Sequence, residues 1–426
     1  MKRLLLFAAL ILLSLSCKKA EAEGGSKDSR GPLDVTVGQS LPNWAEGYLD
    51  IHAISTGRGE CTFYILPDGT SMCVDVGEMV TSTSSPVSVT QRPNASTRAY
   101  FTQAKYMKHF LEATGHNALD YMVMTHFHAD HYGTPGGAGF IQSSAGNYCM
   151  TGMMALYSTL PYKKVFDRAY SESDPDYNFI AESAVSYSEP SAEHWGNFIK
   201  YSTQQKGLQV ERFRGGVDNQ LKLLYKPSSY SNFKIFNWAV NAEYWNGSKM
   251  VDSYAATSIP PENACCAIFL LSYGKFDFYA GGDAGTQTKV AIKVAQNINR
   301  TIEAMKADHH MSVDCMSKEQ MQIFQPKVIV TQSFARRTDQ PMLSTVEGLV
   351  SDDAAKQYYT RPHSLYFTNI DDVIYTPNQY LYKGTHVNGH VVIRVVPGGD
   401  QFYVYQLDDT NSLYKVKSIE GPISCE

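Results

Sequence analysis

The feature that most constrains this chain is a cluster of histidines placed directly after an apolar stretch. The run "ALDYMVM" predicts a buried strand, and it leads into four potential metal ligands, His126, His128, Asp130 and His131. In an extended segment, residues two apart project to the same side, so the first two imidazoles lie together. The last two ligands fall where the chain begins to turn and can reach a second position nearby. The cluster therefore predicts a metal site at a strand end of a layered α/β fold, and a chance cluster on a polar loop is the alternative.

Three further motifs accompany this cluster. Asp75 ends a strand in "VDVG", Asp283 follows another in "AGGDAG", and the pair His309-His310 lies in "MKADHHMS". The histidine cluster resembles the HxHxDH signature of the metallo-β-lactamase superfamily, and the other motifs appear in that superfamily's order. The resemblance implies an αββα sandwich in which Asp75 orients the metal loop and Asp283 bridges two metals. It covers Tyr48 to Val404 and is interrupted by a long insertion.

Within that superfamily, the chain is most similar to the extracellular hydrolase domain of ComEC-type competence proteins. The similar segments are "DIHAISTGRGECTFYILPDGTSMCVDVG", "ENACCAIFLLSYGKFDFYAGGDAG", "IEAMKADHHMS" and "QPKVIVTQSFARR". Two departures stand out: Met311 follows the histidine pair where the family has glycine, and the competence proteins' transmembrane channel is absent. The resemblance implies a phosphodiesterase.

The histidine that superfamily members carry shortly before the bridging aspartate is missing here. Asn263, Ala264 and Cys265 occupy that place, and His194 is far upstream. We interpret His194 as a surface or packing residue, with a ligand role as the alternative. The resemblance then leaves the first metal position with His126, His128 and Asp283, so that this position is weak, replaced or empty.

The second position is expected to hold Asp130, His131, Asp283 and one residue of the histidine pair. We favour His309 as that ligand and His310 as a proton donor or phosphate contact, although periodicity does not decide between them. Asp130 is a candidate for moving the proton during catalysis. The expected cofactors are one or two divalent ions, zinc or manganese.

Arg336 and Arg337 follow a strand that should end near the site. Paired guanidinium groups suit phosphate oxygens, so these arginines are candidate substrate contacts. A solvated loop is the alternative.

The N-terminus predicts export. Lys2 and Arg3 precede an apolar run, and small residues then lead to Cys17. We interpret 1–17 as a lipoprotein signal ending at a lipidated Cys17, 18–45 as a flexible tether, and 46–426 as the metallo-β-lactamase-like domain, with an insertion at about 138–258. Ordinary secretion and an uncleaved anchor are the alternatives. The protein would be a membrane-anchored lipoprotein facing the periplasm or the cell exterior. Cys61 and Cys73 could pair across a hairpin or stay free thiols.

The composition allows a large core and gives no general attraction for nucleic acid. The 426 residues are 43% hydrophobic and 19% charged, with a formal net charge of −5. A globally basic surface is therefore excluded, although a local basic groove is not. We expect an exported hydrolase that uses a metal-activated water on a small-molecule or phosphodiester substrate. The alternatives are a hydrolase of a carbon ester, lactone or amide, and a non-catalytic metal-containing lipoprotein.

Overall fold

Short apolar and alternating runs form the strands of this protein. The computed structural model describes residues 30–79, 89–135, 141–174, 177, 189–254, 260–285, 289–332 and 340–426. In chain order, the strands of these residues are β1 (Leu49–Ala53), β2 (Thr62–Ile65), β3 (Ser71–Val74), β4 (Leu119–Val123), β5 (Tyr162–Asp167), β6 (Gln209–Arg212), β7 (Phe233–Val240), β8 (Glu243–Trp245), β9 (Met250–Asp252), β10 (Ile268–Tyr273), β11 (Phe276–Ala280), β12 (Ala304–Lys306), β13 (Val328–Thr331), β14 (Ser364–Phe367), β15 (His386–Val387), β16 (His390–Val395), β17 (Gln401–Leu407) and β18 (Val416–Ser424).

Helices connect many of these strands. The helices of the described residues are α1 (Ala99–Leu111), α2 (Ala129–Tyr132), α3 (Gly152–Thr159), α4 (Glu189–Lys206), α5 (Val290–Ile298), α6 (Lys318–Phe324), α7 (Leu343–Val350) and α8 (Asp372–Tyr375). After the first helix, a 3-10 turn carries the chain to Gly115, whose left-handed φ of 76° ends the helical segment. None of these helices is long and apolar enough to cross a membrane.

The strands form two sheets of nine. The first has the order β18-β17-β16-β1-β2-β3-β4-β5-β6, and the second β15-β14-β13-β12-β11-β10-β7-β8-β9. Neighbouring strands run parallel from β3 to β6 and from β11 to β15, and antiparallel elsewhere. Parallel neighbours need crossover connections, which α1, α3 and α4 supply in the first sheet and α5, α6 and α7 in the second.

The two sheets pack face to face with helices outside. Tyr64 of the first sheet meets Phe269 and Phe278 of the second with ring centroids 6.3 and 6.1 Å apart. On the outer faces, Tyr106 of α1 packs within the first sheet's outer core and Val294 of α5 within the second's. The layers therefore run α, β, β, α, and the predicted fold class is confirmed.

The structure of two segments differs from what the sequence predicted. Where they are described, residues 138–258 supply β5 and β6 of the first sheet and β7 to β9 of the second, so they are integral to the sandwich. Residues 30–45, expected to end a flexible tether, instead lie against the body. Leu41 and Trp44 are buried there, and buried Arg394 donates to the carbonyls of Pro32 and Pro42. The expected signal, 1–17, lies outside the described residues.

The structure also shows the backbone around the histidine pair and the state of two cysteines. The short strand expected to end at the histidine pair ends at Lys306, and the pair lies in a 3-10 turn, Asp308–Met311. Cys61 and Cys73 face each other with sulfur atoms 3.7 Å apart, and both are free thiols.

Candidate metal centre

The loop after β4 carries the histidine cluster and is held by close backbone contacts. The amide of Glu60 donates to the carbonyl of Asp130 at 2.8 Å, and the amide of Val76 donates to that of His131 at 2.6 Å. A Cβ atom on Gly59 or Gly77 would lie 2.2 or 2.0 Å from the Asp130 carbonyl oxygen. Only glycine permits this approach, so the two glycines fix the height of the loop above the sheet.

Asp75 orients this loop from the end of β3. Its carboxylate accepts from the amide of Thr125 at 2.8 Å, from the Thr125 hydroxyl at 2.6 Å and from His131 Nδ1 at 2.8 Å. The Thr125 oxygen in turn accepts from His126 Nδ1 at 3.0 Å. Both imidazoles therefore carry their proton on Nδ1 and turn Nε2 into the site, which is the orientation a metal-binding histidine requires.

The second sheet completes the site from the opposite side. Asp283 follows β11 and is 1% exposed. Its Oδ2 lies 3.0 Å from His131 Nε2, 3.3 Å from His310 Nε2 and 3.8 Å from both His126 Nε2 and His309 Nε2. Four imidazole nitrogens thus surround one carboxylate oxygen. This geometry suits a carboxylate shared between two metal ions.

The donor atoms form two groups around this shared carboxylate. One group is Glu60, His131, Asp283 and His310, and the other is His126, His128 and Asp283; within each, the donor atoms lie within 4.8 Å of one another. Asp130 lies beside the first group, its Oδ2 being 2.9 Å from His310 Nε2. The structure therefore brings the predicted ligands His126, His128, His131 and Asp283 together. It places His310 with them in the second position, where His309 was favoured, and leaves Asp130 and His309 outside both groups.

The hydrogen-bond chemistry fits cations at these positions. His131 has an acceptor oxygen on each nitrogen, Asp75 on one side and Asp283 on the other. His310 likewise lies between the carbonyl of Gln332, at 2.8 Å from Nδ1, and Asp130. A neutral imidazole donates only one N–H, so its second partner calls for positive charge, which a second proton supplies without metal and a divalent ion would supply when bound.

The charges of the site agree with this conclusion. Burial alone lowers the pKa of His131, but the carboxylates of Asp283, Asp130 and Asp75 outweigh it and raise the pKa well above its usual value. Burial lowers the pKa of His126 well below its usual value, so this imidazole is neutral and able to bind a cation. Burial raises the pKa of Asp283, yet the surrounding imidazoles hold it well below its usual range.

Two charged residues of the site escaped the sequence analysis. Glu60 lies in the turn between β1 and β2, and Lys306 ends β12. The Lys306 ammonium donates to Glu60 Oε1 and to the Gly282 carbonyl, each at 2.5 Å, and lies 3.6 Å from Asp283 Oδ1. Two sequence features could have revealed them. Glu60 lies between the glycine-rich segment "TGRG" and a strand, and Lys306 is a single lysine within the apolar run "EAMKA".

A buried ion pair supports the outer side of the histidine loop. Glu262 accepts from the Phe127 amide at 2.7 Å and from Arg168 Nε at 2.8 Å, and both charged side chains are almost fully buried. The pair therefore fixes the backbone between His126 and His128. This support was also not predicted.

The other predicted residues have different positions. His309 lies at the edge of the site, with Nδ1 2.5 Å from Asp314 Oδ1 and Nε2 3.2 Å from Asn263 Nδ2. His194 lies on α4 and belongs to neither ligand group. Arg336 and Arg337 lie outside the described residues, so their substrate contact stays a prediction.

Comparisons with known proteins do not assign a family. No family model and no curated protein matches the chain. Among solved structures, CmlA, a diiron β-hydroxylase from Streptomyces venezuelae, is 11% identical, with a TM-score of 0.32 over 70% of this chain and 46% of that chain. This chain therefore spans less than half the length of CmlA.

Two further structures are similar at the same level. A putative metal-dependent hydrolase from Parabacteroides distasonis is 12% identical, with a TM-score of 0.31 over 75% of this chain and 92% of that one. A diphosphatase from the PhnP family is 11% identical, with a TM-score of 0.30 over 76% and 95%. These likenesses are too low to carry an argument, and the fold assignment rests on the strands and helices themselves.

Proposed function

We propose that this protein is a metal-dependent hydrolase of the metallo-β-lactamase fold that cleaves a phosphodiester. The observation that carries the proposal is the arrangement around Asp283, where two groups of buried donor atoms share one carboxylate. The paired donor sets support a dinuclear centre of zinc or manganese ions. The choice of a phosphodiester is supported by the similarity of four segments to ComEC-type hydrolase domains, which is an argument by analogy.

The residues of the site have different roles in the proposed reaction. His126, His128, His131, His310 and Asp283 would hold the ions, and a bound divalent ion supplies Lewis-acid polarisation and activation of water. Asp75 and Thr125 orient the imidazoles. The walls of the site exclude bulk water, which strengthens every charge interaction inside it.

Asp130 is suited to accept the proton released during attack. Burial raises its pKa, but His131 and His310 outweigh burial and lower the pKa to about 2, so the carboxylate is ionised at neutral pH. Its side chain is 13% exposed, whereas that of His310 is fully buried. Asp130 therefore retains access to substrate, and its position supports the catalytic role predicted for it. For His310, the geometry favours a ligand role over the predicted proton donor.

The decisive experiment combines metal analysis with a phosphodiester assay. Purified protein is expected to contain zinc or manganese and to cleave bis(p-nitrophenyl) phosphate in a metal-dependent manner. The His128→Ala variant should lose turnover by at least 100-fold, while the matched control His109→Ala, which removes an exposed imidazole of α1, should keep it. Cleavage of p-nitrophenyl acetate or nitrocefin alone would favour the carbon-ester or amide reading. Bound metal without any turnover would favour a binding protein.

We also propose that the protein is exported and anchored to a membrane through Cys17. The support is the basic, apolar and small-residue order of the N-terminus. In cells, the protein should partition into the detergent phase and label with a radioactive or clickable fatty acid, and Cys17→Ala should abolish both. Equal partitioning of the variant would contradict the anchor.

A further inference from the structure

We propose that the adjacent histidines divide between the two metal positions, with His309, held by Asp314, completing the first position and His310 the second. This inference rests on the metal-dependent function proposed above. It assigns a ligand to the position that otherwise has only His126, His128 and Asp283.

The first position has the smallest donor set that zinc sites in proteins use. Zinc in proteins takes four ligands, or three protein ligands and a water. One of the three donors present, Asp283, is shared with the second position. The backbone site where a third histidine was expected holds Asn263, whose buried Oδ1 has no hydrogen-bond partner. The first position therefore has only two donors of its own, with the polar side chain of Asn263 beside them.

His309 lies at the border of this first group, close to Asp283 although its Nε2 is not within 4.8 Å of every donor atom of the group. Its Nε2 lies 3.8 Å from Asp283 Oδ2, the same distance as His126 Nε2, and 3.2 Å from Asn263 Nδ2. Its amide donates to the Gly282 carbonyl at 3.1 Å, which ties it to the turn carrying Asp283. The imidazole of His309 therefore faces the shared carboxylate beside the residue that replaces the missing histidine.

The protonation of His309 also suits a ligand. The Asp314 carboxylate accepts from Nδ1 at 2.5 Å, so the ring proton lies on Nδ1, and the Nε2 lone pair accepts from Asn263 Nδ2 at 3.2 Å, a hydrogen bond that a bound metal ion would replace. The carboxylate of Asp75 acts on His131 in the same way, at 2.8 Å. Each metal position thus has one histidine oriented by a dedicated aspartate.

The backbone explains how neighbours serve different positions. His309 and His310 both have left-handed conformations, with φ of 41° and 50°. This conformation is costly for residues other than glycine and persists where the surroundings over-determine it. His310 lies between Gln332 and Asp130 within the second group, whereas His309 lies between Asp314 and Asn263. The strained turn is what separates the two rings.

The test measures metal content and affinity without reference to activity. His309→Gly and His310→Gly form a matched pair, because glycine tolerates the left-handed backbone at both positions and removes only the imidazole. Bound zinc is counted by mass spectrometry of the elements after equilibration with buffers of defined free zinc, and cobalt absorption spectra report the ligand sets. Thermal unfolding of each variant checks that it is folded.

We expect His309→Gly to weaken the first zinc by at least 10-fold and leave the second bound. The double variant His128→Ala with His309→Gly should still bind one zinc, because both changes affect the same position. The double variant of His309→Gly with His310→Gly should lose both. Asp314→Asn should weaken the first zinc by roughly 10- to 100-fold through loss of ring orientation. The control variant His109→Ala should change neither the zinc content nor the zinc affinity.

Unchanged zinc content and affinity in His309→Gly would overturn the assignment, whatever the stoichiometry of the wild-type protein. Loss of both zinc ions from His128→Ala with His309→Gly would overturn it as well. If the wild-type protein binds metal and cleaves substrate while either result holds, the proposed function stands and only this inference fails. A wild-type protein without metal affinity would refute both.

Discussion

At the scale of single residues, four of the site's histidines are oriented by an oxygen atom that accepts from Nδ1. Oxygen atoms of Thr125, Asp75, Gln332 and Asp314 receive the Nδ1 protons of His126, His131, His310 and His309, in that order. Every one of these rings turns Nε2 toward Asp283. Because the tautomers are set before any ion arrives, binding costs little reorganisation of the side chains.

Asp75→Asn should weaken metal binding by roughly 10- to 100-fold. An amide keeps the size of the side chain but loses the charge and one acceptor oxygen, so it cannot serve both Thr125 and His131. Competition with a zinc chelator measures the change. Asp120→Asn is the control, since this buried carboxylate lies on β4 and bonds Ser71 away from the ligand groups. Equal affinities in the wild type and Asp75→Asn would contradict the orienting role.

Lys306→Met should destabilise the protein by about 3–5 kcal/mol, because it leaves the buried Glu60 carboxylate without its cation. Burial lowers the pKa of Lys306, but Glu60 and Asp283 outweigh it and raise the pKa, so the lysine is charged. Urea unfolding in the presence of chelator measures the loss. Adding Glu60→Gln to Lys306→Met should restore part of the lost free energy of unfolding. If the losses of the two single variants simply add in the double variant, Glu60 and Lys306 are not coupled.

The sequence predicted the part of the site whose residues lie close together in the chain. His126 to His131 could be assigned from alternation, and Asp75 and Asp283 from strand ends. Glu60 and Lys306 could not, because their pairing joins residues far apart in sequence that only sheet packing brings together. The choice between His309 and His310 depends on two left-handed φ angles, which periodicity does not reveal.

At the scale of elements, glycines in two turns determine the position of the histidine loop. Gly59 and Gly77 come from the turn after β1 and the end of β3, and both lie against the Asp130 carbonyl. The amides of the neighbouring Glu60, Val76 and Glu78 donate to carbonyls of α2 and connect this region to it. The ligand loop is therefore positioned by a neighbouring element as much as by its own strand.

Gly77→Ala should displace the ligand loop and reduce metal affinity and turnover together. Its new Cβ would lie 2.0 Å from Asp130 O and 2.7 Å from Glu60 N, both backbone atoms that cannot move aside alone. Zinc titration and the phosphodiester assay measure the effect. Gly31→Ala is the control, since its Cβ would meet only the carboxylate of the exposed Asp34 side chain. Wild-type affinity in Gly77→Ala would show that the loop tolerates the shift.

The sequence predicted elements best where a single period dominates. The β10–β11 hairpin forms around Tyr273, Gly274 and Lys275 as expected, with Tyr273 opposite Phe276. The region at about 138–258 was interpreted as an insertion because it is rich in Tyr, Trp, Ser and Asn and has few clean periods. In the structure, its strands β6, β8 and β9 are short and partly exposed. Their membership in the sheets is decided by pairing with distant strands, which local composition does not encode.

At the scale of the whole molecule, buried neutral histidines make stability depend on pH. Burial lowers the pKa of His390 to about 3, and the nearby His52 acts in the same direction. An unfolded histidine titrates near its usual value of 6.5. The unfolded chain therefore binds a proton that the folded protein refuses, so stability is full above pH 6.5 and falls as the pH decreases toward 3.

His390→Asn should reduce this acid sensitivity. The asparagine oxygen can accept from the Ser55 amide, as His390 Nδ1 does at 2.9 Å, but it does not titrate. We expect a smaller loss of unfolding free energy between pH 6.5 and 4 than in the wild-type protein, by up to about 3 kcal/mol. The difference between the two proteins at pH 8 gives the packing cost. Parallel curves for the two proteins would exclude His390 as a source of the pH dependence.

The position of Asp283 has a consequence for how the protein matures. His131 and Asp283 lie about 150 residues apart in sequence and reach each other from opposite sheets. An ion held between them acts as a cross-link whose ends meet only after both halves have formed and docked. Metal uptake would thus be the final event of folding, and the loaded ion would resist the reopening of the sandwich by raising the free energy of unfolding in proportion to the logarithm of free metal.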